Sequence, residues 1–199
     1  MKSVSGAEGR KALEIARKAI NLWVLRGEKF VPVKYPGSFN QNAGVFTTIH
    51  TYPGLELRGC IGYPEPFMPL IRSLINSAIH STQDPRFPRL TRDELGRIVV
   101  EVSILTRPEK LKAKSPGDYP KLIKIGKHGL IVRKWSLSGL LLPQVATEHG
   151  MDARTFLGHT CMKACLPTDA WTDPATSVYT FESRVFSERK PPKKLETGP

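Results

Sequence analysis

Several features that usually narrow a function quickly are missing from this sequence. No apolar run approaches the ~20 residues that span a bilayer, so no membrane association is expected. The opening residues, MKSVSGAEGRKALEIA, hold no apolar stretch of the signal-peptide kind, and a cytoplasmic location is the expectation. Cysteine is scarce, with only Cys60, Cys161 and Cys165. An odd, low count without a secretion signal argues against a disulfide framework and for free thiols. There is no GxxxxGK[ST], GxGxxG or HExxH run and no aromatic motif of the RRM type, which removes the commonest nucleotide-binding, metalloprotease and RNA-binding readings. Cys161 and Cys165 fall one helical turn apart, but only His149 lies near them. With no second cluster to complete a tetrahedral site, neither metal nor cofactor is expected.

Acidic residues are also under-represented, 18 against 30 Lys and Arg, for a net charge of +12. The excess sits in two segments. Residues 1–34 carry eight Lys/Arg against three Glu, and residues 107–134 carry nine Lys/Arg against Glu109 and Asp118. A solubilising surface accounts for this. So does contact with a polyanion such as nucleic acid, which gains weight if the two segments lie side by side.

Periodicity then places the elements. Ser5 and Glu8 have capping-box spacing, apolar residues recur at Leu13, Ala16, Ile20 and Trp23, and Gly27 is a stop, so a helix is predicted over Gly6 to Arg26. Arg10, Lys11, Arg17 and Lys18 fall on its polar face. AGVFTTIHT (43–51) alternates as a strand, and LELRGCIGY (55–63) follows a Tyr52-Pro53-Gly54 turn as its hairpin partner. FMPLIRSLINSAIHS (67–81) is a buried helix ended by DPRFP. Thr91 and Glu94 cap a short helix, and RIVVEVSILT (97–106) is the clearest strand. LIKIGKHGLIVRKW (122–135) is read as two short strands around a glycine turn. GLLLPQVA (139–146) is read as an edge strand or a strand leading into a loop, because Pro143 interrupts it. Asp152 caps a helix running to about Ala164, and SVYTFESRVF (177–186) is a final strand. Hairpins with few helices and no βαβ rhythm predict an α+β fold with a largely antiparallel sheet.

The residues able to carry chemistry concentrate in LRGCIG. Arg58 and Cys60 share one strand face. A guanidinium beside a thiol favours thiolate, and Gly59 and Gly62 let a ligand or another backbone approach. The structural alternative is a small buried cysteine and an arginine paired with a carboxylate. Glu101 interrupts an apolar strand beside Ser103; it is either the ion-pair partner of Arg58 or a general base. His128 sits in a glycine-bounded turn and is either an exposed turn residue or an acid–base group, forming a nucleophile–base dyad with Cys60 if the two touch. Asp84, Arg86 and Phe87 belong to a loop stiffened by two prolines.

LRGCIG (57–62), DPRFP (84–88), VEVSIL (100–105), IGKHGLIV (125–132), LLPQVATEHG (141–150) and FLGHTCMKACLP (156–167) follow one another in this order. Together they resemble the AMMECR domain family, named for a human Alport-syndrome and elliptocytosis deletion region, over about residues 8–188. The resemblance implies a single α+β domain over 1–188, with a larger and a smaller subdomain forming a cleft, and a flexible tail over 189–199. Carried over residue by residue, it implies Cys60, Glu101 and His128 as catalytic candidates. As ligand contacts it implies Arg58, Gly59, Gly62, Asp84, Arg86, Ser103, Gln144 and Lys163. It further implies a small-molecule or protein substrate and a pathway shared with Memo-like or radical-SAM proteins. The alternatives are a non-catalytic regulatory adaptor and a basic nucleic-acid-binding module. Two positions depart from the family pattern: Met151 stands where Trp is frequent, and Cys165 where KAGL is usual.

Overall fold

A computed structural model describes residues 4–192; the part of the expected tail beyond residue 192 lies outside the described residues. The chain forms two compact units. The first comprises residues up to Leu105 together with those from Arg184 onward, and the second comprises Thr106–Ser183.

The first unit opens with α1 (Gly6–Arg26). Its capping box is formed as the sequence predicts: Glu8 N–H donates to Ser5 Oγ and Ser5 N–H to Glu8 Oε2. Gly27 closes it in the left-handed region. Strands β1 (Val45–Thr51), β2 (Leu57–Tyr63) and β3 (Ile98–Leu105) form an antiparallel sheet in the order β2–β1–β3, which leaves β2 at the edge. Helix α2 (Leu70–Ser81) starts directly after Pro69, so Phe67 and Met68 lie outside it. It packs on β1 and α1 through Leu70, Ile71, Leu74, Ile75 and Ala78, all buried. Between β1 and α2 the contact is partly polar: Thr47 Oγ1 lies 2.7 Å from Ser77 Oγ. Thr91 and Glu94 make their capping box, though the element they start is a 3-10 helix, Arg92–Arg97.

Arg17 departs from the expected basic face of α1. It is only 6% exposed, its Nε and Nη2 donate to Glu188, and the guanidinium also donates to the carbonyls of Leu95 and Ile98. Glu188 accepts from Val100 N–H as well. A guanidinium with this many acceptors can stay buried because each desolvated donor is satisfied. Lys11 and Lys18 both pair with Glu14.

The second unit contains β4 (Glu109–Lys110), α3 (Tyr119–Leu122), β5 (His128–Lys134), β6 (Leu137–Leu141), α4 (Pro143–Glu148), α5 (Ala153–Lys163) and most of β7 (Ser177–Ser187). Its strands are antiparallel in the order β6–β5–β7–β4. Its core gathers Leu130, Val132, Phe156, Leu157, Trp171 and Val178. The fold is α+β with antiparallel sheet.

Two local expectations are corrected here. Residues 122–127 contain no strand; α3 ends at Leu122 and a turn through Gly126 leads into β5, whose hairpin partner is β6. Pro143 does not break a strand but opens α4 at its first turn, where a missing N–H costs nothing and a fixed φ helps. Asp152 caps α5 as expected, accepting from Thr155 N–H at 2.7 Å.

The end of α5 explains the unusual Cys165. Leu166 N–H reaches Cys161 O and Cys165 N–H reaches Met162 O, the paired bonds of a Schellman motif. Cys165 occupies its left-handed position at φ 58°, where a side chain is strained and glycine is not. It is therefore beyond the helix, and its thiol is exposed while Cys161 is buried. Cys165→Gly should stabilise the second unit by about 1 kcal/mol. Thermal unfolding should show a midpoint raised by about 2–4 °C, and an unchanged or lowered midpoint would contradict the strain.

Candidate functional site

The first unit brings together Arg58, Gly59, Cys60, Gly62, Asp84, Arg86, Glu101 and Ser103. His128, Gln144 and Lys163 belong to the second unit.

Strand β2 is an edge strand, and its outward backbone groups need partners. Asp84 supplies them at Cys60. Its buried carboxylate accepts from Cys60 N–H at 2.8 Å, from Arg86 N–H at 3.0 Å, and from Arg86 Nε and Nη2 at 3.0 and 2.7 Å. Arg86 Nη2 also donates to Cys60 O at 3.4 Å. The DPRFP loop thus closes the sheet edge with a side chain in place of a further strand. The Arg86 guanidinium and the backbone donors hold the Asp84 carboxyl far below the usual carboxylate range, against the burial that would raise it. Asp84 raises the pKa of Arg86 in return.

Arg58 finds its carboxylate elsewhere than at Glu101. Its Nε and Nη2 form a fork on Glu94, at 2.7 and 3.1 Å, and its guanidinium donates to the carbonyls of Pro88 and Arg89. Strand β1 stands between β2 and β3, while Glu94 is already oriented toward its partner by its capping bonds to Thr91. Burial alone would raise the Glu94 pKa, but Arg58 and Thr91 together lower it. Phe87 lies between the two arginines, its ring centroid 6.0 Å from Arg58 Cζ and 5.6 Å from Arg86 Cζ. All three guanidinium nitrogens of Arg58 are engaged, so it anchors the loop. Arg86, with a side chain 57% exposed, keeps one edge in the open.

The signature glycines serve packing. A Cβ on Gly59 would sit 2.2 Å from Ser81 O at the end of α2, and one on Gly62 would sit 2.1 Å from the Phe46 ring. Helix end and aromatic ring already fill the space that sequence reasoning reserved for a ligand.

Register defines what lies on the other face of the sheet. Thr48 is opposite Cys60 on one side and Glu101 on the other. Cys60, Thr48 and Glu101 therefore form one row across three strands, on the face turned away from α2. Thr48 Oγ1 donates to Cys60 Sγ at 3.3 Å, and Ser187 Oγ donates to Glu101 Oε2 at 2.6 Å. Phe46 and Ser103 form the neighbouring row. His50 shares the face, and its Nδ1 is buried with no hydrogen-bond partner among the described residues. Thr48, His50 and Ser187 were missed by sequence reasoning. The available signal was the polar alternation of TTIHT, which needed the strand register to become a site.

The expected thiolate is not what this environment favours. Burial pushes the Cys60 thiol up, reinforced by the nearby Asp84 and Glu101 carboxylates, and outweighs the opposing pull of the Thr48 hydroxyl and Arg86. Cys60 is half-buried and carries its proton at neutral pH.

In the second unit His128 starts β5 opposite Glu182 and accepts from Lys124 N–H at its Nδ1, 3.3 Å away. Burial lowers its pKa, with Lys127 and Lys124 adding to the effect against Glu182. Gln144 lies on α4 and Lys163 at the end of α5. No group of three or more His, Cys, Asp or Glu is placed to hold a metal among the described residues. No helix among them is long and apolar enough to cross a membrane.

The AMMECR1 family model matches residues 13–186. The chain belongs to the AMMECR1 family. A protein from Methanothermobacter thermautotrophicus is 53% identical over 188 residues, covering 93% of this chain and 96% of that one. Protein MJ0810 of Methanocaldococcus jannaschii is 48% identical over 192 residues, covering 96% and 95%. The crystal structure of PH0010 from Pyrococcus horikoshii superposes with a TM-score of 0.87 at 42% identity, over 94% of this chain and 95% of that one. The AMMECR1 likeness thus extends over both units.

The Asp84 clamp has a pH signature. Its folded-state pKa is depressed, so its contribution to stability is complete above the unfolded value of about 3.9 and is lost as pH falls below it. At pH 7 Asp84→Asn should cost about 2 kcal/mol, the scale of charge-assisted bonds. The difference in urea midpoint between the two proteins should shrink as the pH drops below about 4. A gap constant with pH would show that the carboxylate charge is not what holds the loop.

Proposed function

We propose that this AMMECR1 chain is a cytoplasmic enzyme acting on a small molecule through the Cys60 thiol, at the polar face of the first unit's sheet. The observation that carries this reading is the row Cys60–Thr48–Glu101: a half-buried protonated thiol, a hydroxyl bonded to its sulfur, and a carboxylate on the next strand. As Sγ adds to a carbonyl carbon of the substrate, the C–S bond forms while the C=O π pair moves onto oxygen, and the thiol proton passes by way of the Thr48 hydroxyl to Glu101. The exposed edge of the Arg86 guanidinium supplies a charge for an anionic group on the substrate. His50, with its unpartnered Nδ1, is a further proton carrier on the same face.

The nucleic-acid reading loses support in the first unit. Arg17 is buried against Glu188, and Lys11 and Lys18 share Glu14, so the predicted basic face of α1 is largely neutralised. An adaptor role leaves a half-buried acid–thiol row on the sheet unexplained.

The test is the pH dependence of Cys60 alkylation by iodoacetamide, read at the Cys60 peptide by mass spectrometry so that exposed Cys165 does not contribute. The midpoint should lie above the ordinary value of about 8.5. Glu101→Gln should lower it, because a carboxylate that opposes thiolate is gone, and Thr48→Val should raise it, because a donor to sulfur is gone. An ordinary midpoint indifferent to both substitutions would end the proposal.

A further inference from the structure

The second unit holds a cavity of about 540 Å3, within the range of small-ligand sites, ~300–1,000 Å3. It does not include Cys60 or any group of the row across β1–β3.

Its walls come from three elements. Helix α5 presents Thr155, His159, Met162 and Lys163 to it, a stripe at i, i+4, i+7 and i+8. The opposite stripe of the same helix, with Phe156, Leu157 and Cys161, is buried in the core. Val145 of α4 and His149 at its end stand one turn apart, and Leu141 closes the floor from β6. Met151, from the turn joining the two helices, completes the wall.

The chemistry of these walls is specific. Leu141, Val145 and the two methionines form an apolar body, and thioethers adapt to the shape of what they contact. Met162 is 55% exposed, an unfavourable position for an apolar side chain unless something covers it. The polar groups are one ammonium, two imidazoles and the Thr155 hydroxyl, and none is an anion. Lys163 is a cation with no ion pair among the described residues, and His149 and His159 have no side-chain hydrogen bonds there either. An imidazole donates from at least one nitrogen in either protonation state. No carboxylate lines the cavity. Asp152, next to Met151, spends its carboxylate on the N–H of Thr155.

We propose that this cavity binds a small molecule with an apolar body and one anionic head group, of the kind represented by a medium-chain monocarboxylate. The alkyl part lies against Leu141, Val145 and the methionines, and the carboxylate meets Lys163 and the two histidines. A neutral amphiphile would forgo the charged contact, and a cation would be opposed by Lys163.

The methionines provide the readout. In the full chain labelled with 13C at the methionine methyls, octanoate should shift Met151 and Met162 saturably and leave Met68, in the first unit, unmoved. Lys163→Gln should weaken octanoate about tenfold, the scale of a charge-assisted bond, while Lys163→Arg retains most of the affinity. Octanol should bind more weakly than octanoate and be indifferent to Lys163→Gln. Val145→Trp, which fills the cavity, should abolish both, its free spectrum reporting that the unit is folded. Shifts of equal size at Met68, no saturation, or an octanoate affinity unchanged by Lys163→Gln would each overturn the proposal. The alkylation profile of Cys60 bears on none of these outcomes, so either reading can fail alone.

Discussion

One buried carboxylate organises the edge of the first unit's sheet. Asp84 receives the outward N–H of Cys60, the N–H of Arg86 and two nitrogens of the Arg86 guanidinium. Without it, strand β2 would end the sheet with the Cys60 N–H unsatisfied, and the DPRFP loop would lose its bond to the strand's backbone. The loop carries Phe87 between Arg58 and Arg86, and the carbonyls of Pro88 and Arg89 hold Arg58. The two runs LRGCIG and DPRFP, 24 residues apart at Cys60 and Asp84, are therefore one structural device: each satisfies what the other leaves open.

That device secures the edge of β2, and the neighbouring strand divides the sheet's surface in two. Strand β1 has two different faces. Val45, Thr47 and Ile49 point toward α2 and are buried, while Phe46, Thr48 and His50 alternate with them on the far side. On that side the register aligns Thr48 with both Cys60 and Glu101. The environment raises the thiol pKa instead of lowering it, so the resting sulfur on this face is a neutral thiol and not a charged thiolate.

Much of the fold was legible because it rests on local patterns. The capping pairs Ser5/Glu8 and Thr91/Glu94, the Asp152 cap, and the alternation of β3 are set by residues a few positions apart, and each formed. Errors arose where distant partners decide. Arg58 was open between pairing with Glu101 and other fates, and the fold decides it by bringing Glu94, 36 residues away, onto the guanidinium. Pro143 carries the same local signal whether it breaks a strand or opens a helix. The site was half legible: Cys60 and Glu101 stood out as polar intrusions, but Thr48, His50 and Ser187 are unremarkable residues that acquire meaning from register. Gly59 and Gly62 were recognised as close-approach positions, yet what approaches is Ser81 O and the Phe46 ring.

The Arg17–Glu188 pair has a bearing on synthesis. The carboxylate is made 171 positions after the arginine, once the whole of Thr106–Ser183 has been added. Until Glu188 emerges, α1 lacks the anion that balances its buried guanidinium, and β3 lacks the acceptor for Val100 N–H. The second unit is thus an insertion translated between the two halves of this ion pair, and the first unit gains the Arg17 and Val100 bonds only after the insertion has been made.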